Sequence, residues 1–363
     1  MSSPPRHLLK DFSLSAIAAG FVTVLVGFAS SAVIVFQAAQ SLGASPEEIS
    51  SWMWALGLGM GLTCIGLSLR YRMPVVTAWS TPGAAMLIGS VAGLPLSDAI
   101  GAFLMSALLI AASGFSGFFE RMISRIPVSL ASGMLAGVLL RFGIDAFAAM
   151  KTQLGMVLTM FAVYLLARRL LPRYAVILTL LVGIAFAAGL GLLRVDGLSL
   201  QLAKPVFTTP TFSLAAIVGI ALPLFIVTMA SQNVPGVAVI RASGYAIPIS
   251  PVVGWTGLVN LLLAPFGAFA LNLAAITAAI CMGREAHEDA ARRYVAAIAA
   301  GVFYVVVGLF GATVAALFAA FPKELILAIA GIALLGTIGN SLAAALRDEA
   351  EREPALVTFL VTA

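Results

Sequence analysis

Apolar runs of roughly 17 to 25 residues recur along this chain from Leu14 to Leu346, each long enough to cross a hydrocarbon core of about 30 Å. Such a chain cannot fold around one soluble core. The hydrophobic fraction is 61% and the charged fraction 10%, where a soluble domain carries about 25% charged residues, so no stretch remains for a separate soluble domain. The runs are continuous and rich in Ala, Leu, Gly and Val, without the alternation of outer-membrane strands. The fold class is therefore an all-α polytopic membrane protein. The opening MSSPPRHLLKDF has two prolines and no small-residue cleavage site behind a short apolar core, so Leu14 to Gln40 reads as a retained first span.

Spans are expected near residues 14–40, 51–69, 74–92, 98–119, 127–144, 152–170, 174–193, 212–240, 250–264, 265–282, 293–320 and 322–346, with a thirteenth beginning at Pro354. With the N-terminus in the cytoplasm, this order leaves only Arg141, Lys151, Arg194, Lys204 and Lys323, of the 20 Lys and Arg, outside. That is a positive-inside distribution, and it explains the net charge of +5 without a nucleic-acid partner. Pro354 to Ala363 would extend only about 15 Å as a helix, so the sequence is expected to stop inside its thirteenth span. In the loop GASPEEISS, Ser45, Pro46 and Glu48 spell a capping box with proline at the first helical position.

Two segments, RMPVVTAWSTPGAAMLIGS (residues 72–90) and LAPFGAFALNLAAITAAICMG (residues 263–283), open on Pro74 and Pro265 and follow the preceding span with almost no loop. They lie at matching places in two halves of opposite orientation, the pattern of an inverted-topology repeat formed by residues 14–194 and 212–363. A third segment, TMASQNVPGVAVIRASGYAIP, sets Gln232 and Asn233 beside Pro235 and Gly236 and reads as an interrupted eighth span. Backbone that leaves the helix inside a bilayer must pair with protein or line a cavity. A half-helix beginning there offers amide N–H groups and partial positive charge to an anion.

All 15 Asp and Glu fall in loops or at span ends, so no acid stands at the midplane, where a cation site would want one. The candidate substrate-binding groups there are the donors Gln37, Ser80, Thr81, Gln232, Asn233 and Asn272, with Phe36, Trp79, Phe266 and Phe269 supplying aromatic area. Each has a plainer alternative: amides that only glue neighbouring spans, hydroxyls bonded back to the preceding turn, and Gln37 as a cap at the membrane surface. Gly57 and Gly61 form a G-x-x-x-G packing face. Cys64, Cys281, His7 and His287 support neither a disulfide framework nor a metal site, and no cofactor is called for. In GREAHEDAARR, Glu285 and His287 are either loop residues or groups that titrate during a cycle.

The stretches SSAVIVFQAA, TPGAA, QNVPGVAVIRASGY and NLAAITAAICMGREAH resemble the bacterial benzoate/proton symporters (BenE type), and the similarity extends over nearly the whole chain. The resemblance implies an architecture similar to nucleobase/ascorbate, uracil permease-like transporters, with seven plus seven spans. It implies a core domain (14–119 plus 212–320), a gate domain (127–194 plus 322–363), and short extended pieces at Val75–Ala78 and Phe266–Ala270. It implies uptake of benzoate or a related aromatic carboxylate with a proton across the bacterial inner membrane. Uracil carriers of that architecture place glutamates on spans 8 and 10, where this chain offers amides, so the proton site does not carry over. A carboxylic acid with a pKa of about 4 is almost wholly anionic at pH 7, and moving it inward alone opposes the membrane potential by about 2.3 kcal/mol per 100 mV. One accompanying proton removes that charge. The alternatives are a carrier for a nucleobase or an inorganic anion and, last, a membrane enzyme, for which the chain lacks H-E-x-x-H and G-x-S-x-G. A homodimer through the gate domain is left open.

Overall fold

The structure is a computed structural model and describes residues 11–90, 94–123, 127–171, 175–193, 202–283, 286–311, 313 and 320–363. Helix α1 (Leu14–Ser41) starts where Ser13 accepts a hydrogen bond from the Ala16 amide. Helix α2 (Pro46–Tyr71) starts on the expected capping box: the Ser45 amide donates to Glu48 Oε2 at 2.8 Å and the Glu48 amide to Ser45 Oγ at 3.3 Å. It ends at Arg72 in the left-handed region (φ 53°), and strand β1 (Thr77–Trp79), helix α3 (Thr81–Ser90) and helix α4 (Leu96–Phe115) follow. A short helix, Phe118–Ile123, leads to α5 (Val128–Ala148), α6 (Met150–Leu170) and α7 (Ala175–Gly189).

The second half contains α8 (Leu214–Arg241) and α9 (Ile249–Leu263), then strand β2 (Leu271–Leu273), α10 (Ile276–Met282) and α11 (Tyr294–Leu309). Helices α12 (Lys323–Ala345) and α13 (Arg352–Thr362) follow. Among the described residues six helices are long and apolar enough to cross a membrane. Leu154, Leu158 and Leu165 stand more than half exposed along α6, which a bilayer tolerates and water does not.

Burial divides the apolar side chains into two clusters. One gathers residues from α1 to α4 with residues from α8 to α11. The other is built from α6, α7 and α12. Within the first, α2 lies along α11 and α4 along α9. Small residues permit both approaches: a Cβ on Gly57 would stand 2.6 Å from the Gly308 Cα, so the backbones touch, as the G-x-x-x-G spacing implies.

Three expectations about the breaks need correction. The extended pieces lie a few residues later than Val75–Ala78 and Phe266–Ala270, at Thr77–Trp79 and Leu271–Leu273, because Pro265 and Phe266 belong to a 3₁₀ turn ending at Gly267 (φ 98°). The half-helices therefore open at Thr81 and Ile276, well after Pro74 and Pro265. Asn272 consequently sits on a strand instead of a helix.

Nor is α8 interrupted. It continues past Gln232 and Asn233 through a π-helical turn, Met229–Asn233, in which the Val234 amide donates to the Met229 carbonyl five residues back. Proline lacks an N–H and crowds the carbonyl of the preceding turn, and a widened turn directly before Pro235 accommodates it without breaking the helix. Gly236 answers a different need: a Cβ there would stand 2.6 Å from the Leu273 Cβ, so only glycine lets α8 approach β2 this closely.

Candidate functional site

Strands β1 and β2 pair antiparallel, with Thr77 opposite Leu273, Ala78 opposite Asn272 and Trp79 opposite Leu271. The ladder continues as Ser80 N–H donates to Ala270 O at 3.1 Å and Ala274 N–H to Val76 O at 2.9 Å. Each broken segment thus supplies the other's backbone partners, as backbone at membrane depth requires. Because α3 follows β1 and α10 follows β2, the two half-helices leave this ribbon in opposite directions.

Beside the ribbon lies a cavity of about 500 Å³, its open mouth included, enclosed by α1, α2, β1, α3, α8, α10 and α11. Trp79 forms one wall. Its indole N–H donates to Ser31 Oγ at 3.0 Å, and Ser31 donates onward to Gly27 O at 2.8 Å. Phe28 meets the indole edge-on, with centroids 4.8 Å apart at 73°. The ring is held from two sides, so its orientation is fixed before any ligand arrives.

Further lining groups come from five other elements: Met60, Thr81, Gln232, Thr277 and Tyr304. The Tyr304 hydroxyl bonds to Thr277 and approaches α1 at Gly27, where a Cβ would stand 3.1 Å from that oxygen. Behind the cavity Thr23 pairs with Cys281 at 3.2 Å and Thr63 with Thr77 at 2.6 Å. Among the described residues no Asp, Glu, His, Lys or Arg lines the cavity.

Of the side chains singled out in the sequence, Trp79, Thr81 and Gln232 line this cavity, and neither Thr81 nor Gln232 makes a side-chain hydrogen bond among the described residues. The others are elsewhere. Ser80 is fully buried and its Oγ accepts the Gly83 amide at 3.1 Å, capping α3. Asn233 is buried, its Oδ1 accepting the Leu273 amide at 2.9 Å and its Nδ2 donating to Met229 Sδ at 3.1 Å. Asn272 donates to Ala270 O at 2.9 Å, and its Oδ1 has no partner among the described residues. Phe269 packs against Trp52 and Phe103, each at 5.7 Å between centroids. Gln37 is exposed near the end of α1. Glu285 lies outside the described residues.

The cap at Ser80 also changes the electrostatics. Of the first amide groups of α3, Pro82 has none, Gly83 is bonded to Ser80 Oγ and Ala84 to Ser80 O. Only the Thr81 amide is left, so the nest of free backbone donors expected from a half-helix is largely filled from within. Ser31, Thr277 and Tyr304 escaped the sequence reading. Gly27 and Ser31 recur at i, i+4 on one helix face, and Tyr304 is an aromatic with a polar tip in an apolar run, both faint signals.

A sequence model of the benzoate membrane transport protein (BenE) family matches residues 10–363. The chain is 48% identical over 362 residues to inner membrane protein YdcO of Escherichia coli (strain K12), covering 100% of this chain and 90% of that protein. It is 41% identical over 362 residues to the benzoate membrane transport protein of Acinetobacter baylyi (strain ATCC 33305 / BD413 / ADP1), covering 100% and 92%. Among solved structures, the transmembrane domain of the cyanobacterium bicarbonate transporter BicA superposes with a TM-score of 0.66 at 13% identity, over 96% of this chain and 94% of that one. SLC26A9 superposes with a TM-score of 0.60 at 14% identity, over 99% of this chain and 63% of that one. At these identities the likeness is one of fold. It is shared with the BicA transmembrane domain and with SLC26A9.

Proposed function

Because the chain belongs to the benzoate membrane transport protein (BenE) family, we propose that it is a secondary transporter carrying benzoate or a related aromatic carboxylate inward, with a proton, across a bacterial inner membrane. The observation that carries this reading is the pairing, in one cavity, of a pre-oriented indole face at Trp79 with polar side chains at Thr81 and Gln232 that have no partner among the described residues. An aromatic ring needs the first and a carboxylate the second. In this reading Thr81, Gln232 and the Tyr304 hydroxyl meet the carboxylate while Trp79 covers the ring. Ser80, Asn233, Asn272 and Phe269 fix the ribbon and half-helices around them, and Gln37 takes no part in binding.

The transport cycle we infer moves a core domain (14–119 plus 212–320) against a gate domain (127–194 plus 322–363). Support comes from the separation of buried side chains into two clusters along this division. The inverted repeat of residues 14–194 and 212–363 is supported by matched pairings: α2 on α11 and α9 on α4, with a strand and half-helix in each half. The location is supported by the name of the YdcO relative and the cytoplasmic N-terminus by the positive-inside distribution.

A carrier for a small inorganic anion is the second reading, favoured by the fold shared with a bicarbonate transporter. It leaves the held indole without a task. Thermal melting of the detergent-solubilised protein separates the two, since a ligand bound only by the folded state raises the melting temperature. Benzoate is expected to raise it, and uracil and bicarbonate to leave it unchanged. A shift with bicarbonate and none with benzoate would reverse the order.

A further inference from the structure

Proton symport requires a group that is unprotonated outside, takes up a proton, and gives it up inside. The cavity offers a short list of ionisable groups. Tyr304 of α11 faces it, and the thiols of Cys64 (α2) and Cys281 (α10) lie behind it, bonded to Thr77 and Thr23 at 3.3 and 3.2 Å. Phenols and thiols, with ordinary pKa values of about 10 and about 8.5, already hold their protons at neutral pH and have no room for another. From α1, β1, α3 and α8 the facing polar groups are Ser31, Trp79, Thr81 and Gln232, none of which titrates in water. A described carboxylate near this helix, Asp11, is bonded to the Tyr294 hydroxyl at 2.8 Å. Tyr294 precedes Tyr304 by about 15 Å at the α-helical rise.

The geometry points to the substrate's own carboxylate as the proton carrier, the cavity binding it first as the anion and then holding it as the neutral acid. This rests on the proton-coupled import proposed above. The lining suits both forms. Thr81, Gln232, Thr277 and Tyr304 carry hydroxyl or amide groups that donate to a carboxylate and, turned round, accept from a carboxylic acid. An Arg or Lys in their place donates only and would lock in the anion. Enclosure beside Trp79, Met60 and Ala274 disfavours the charged form, which raises a carboxyl pKa.

The step balances without a further reactant. The anion enters from outside and a proton from external water forms one O–H bond on the carboxylate. The neutral acid crosses with the core domain, and on the inner side that bond breaks, the proton passing to water and the anion following. One benzoate and one proton move, and the net charge moved is zero.

The test is proton influx, read by a pH-sensitive dye inside proteoliposomes, with benzoate and with benzenesulfonate, an aromatic anion that stays ionised across the usable pH range. Proton influx with benzoate and none with benzenesulfonate is expected. Proton influx driven by benzenesulfonate would overturn the inference while leaving import intact. A second arm combines Tyr304→Phe, Cys64→Ala and Cys281→Ala, and a third uses Glu285→Gln with His287→Gln. The triple variant is expected to take up benzoate more slowly, at an unchanged ratio of protons to benzoate in both arms. Benzoate uptake that persists with its proton influx lost, in either arm, overturns the inference. No benzoate uptake by the unaltered protein overturns both this inference and the proposed function.

Discussion

The Asn233 side-chain oxygen accepts the Leu273 amide hydrogen at 2.9 Å, tying α8 to the strand 40 positions later in sequence. Its neighbour Gln232 faces the cavity instead. Two adjacent amides therefore face different ways, one to the strand and one to the cavity.

Asn233→Ala leaves the buried Leu273 amide without an acceptor, which costs about 1–3 kcal/mol. The melting temperature in detergent should fall accordingly. A melting curve indistinguishable from that of the unaltered protein contradicts the clasp.

Gln232→Ala removes a side chain that bonds nothing else among the described residues, so folding should be untouched. A hydrogen bond to a charged ligand contributes about 1.5–3 kcal/mol, and apparent benzoate affinity should weaken roughly tenfold or more. Concentration-dependent uptake measures this, and an unchanged half-saturation value removes Gln232 from the site.

Gly27→Ala places a methyl 3.1 Å from the Tyr304 hydroxyl and 3.6 Å from the Thr277 methyl. The cavity narrows where α1 meets α11. Ring-substituted benzoates should lose more as competitors of uptake than benzoate itself. Equal losses across the series would place the ring elsewhere.

Gly57→Val forces α2 away from α11, since even a Cβ would stand 2.6 Å from the Gly308 Cα and 2.7 Å from the Tyr304 carbonyl. Overpacking of this kind costs about 1–3 kcal/mol. Melting should drop, and because Tyr304 rides on the displaced helix, uptake should drop with it.

The membrane character, the start of α2 and the two broken segments were legible because each rests on local chemistry: hydropathy over a span length, a Ser-Pro-x-Glu cap, a proline after a short loop. The positions where the breaks end were not. Pro74 and Pro265 mark where the helix stops, but where it resumes is decided by the pairing of Thr77–Trp79 with Leu271–Leu273, a contact between distant segments. Pro235 misled for the opposite reason: one extra residue in the preceding turn absorbs it, and sequence periodicity does not register a single π turn.

The polar residues were found by type, while the direction each side chain takes was not legible. Ser80, Asn233 and Asn272 look as apt for a ligand as Thr81 and Gln232, and only the backbone groups they meet at Gly83, Leu273 and Ala270 separate them. Ser31 was passed over because a serine hydroxyl in an apolar helix usually bonds its own preceding turn. Ser31 does so while also holding Trp79.

Labelled benzoate uptake into proteoliposomes, with and without an inward proton gradient, tests the central claim most directly. Accumulation that rises with the gradient and collapses when a protonophore abolishes it is the expected result. Uptake indifferent to the gradient contradicts proton coupling, and no uptake under either condition contradicts the substrate.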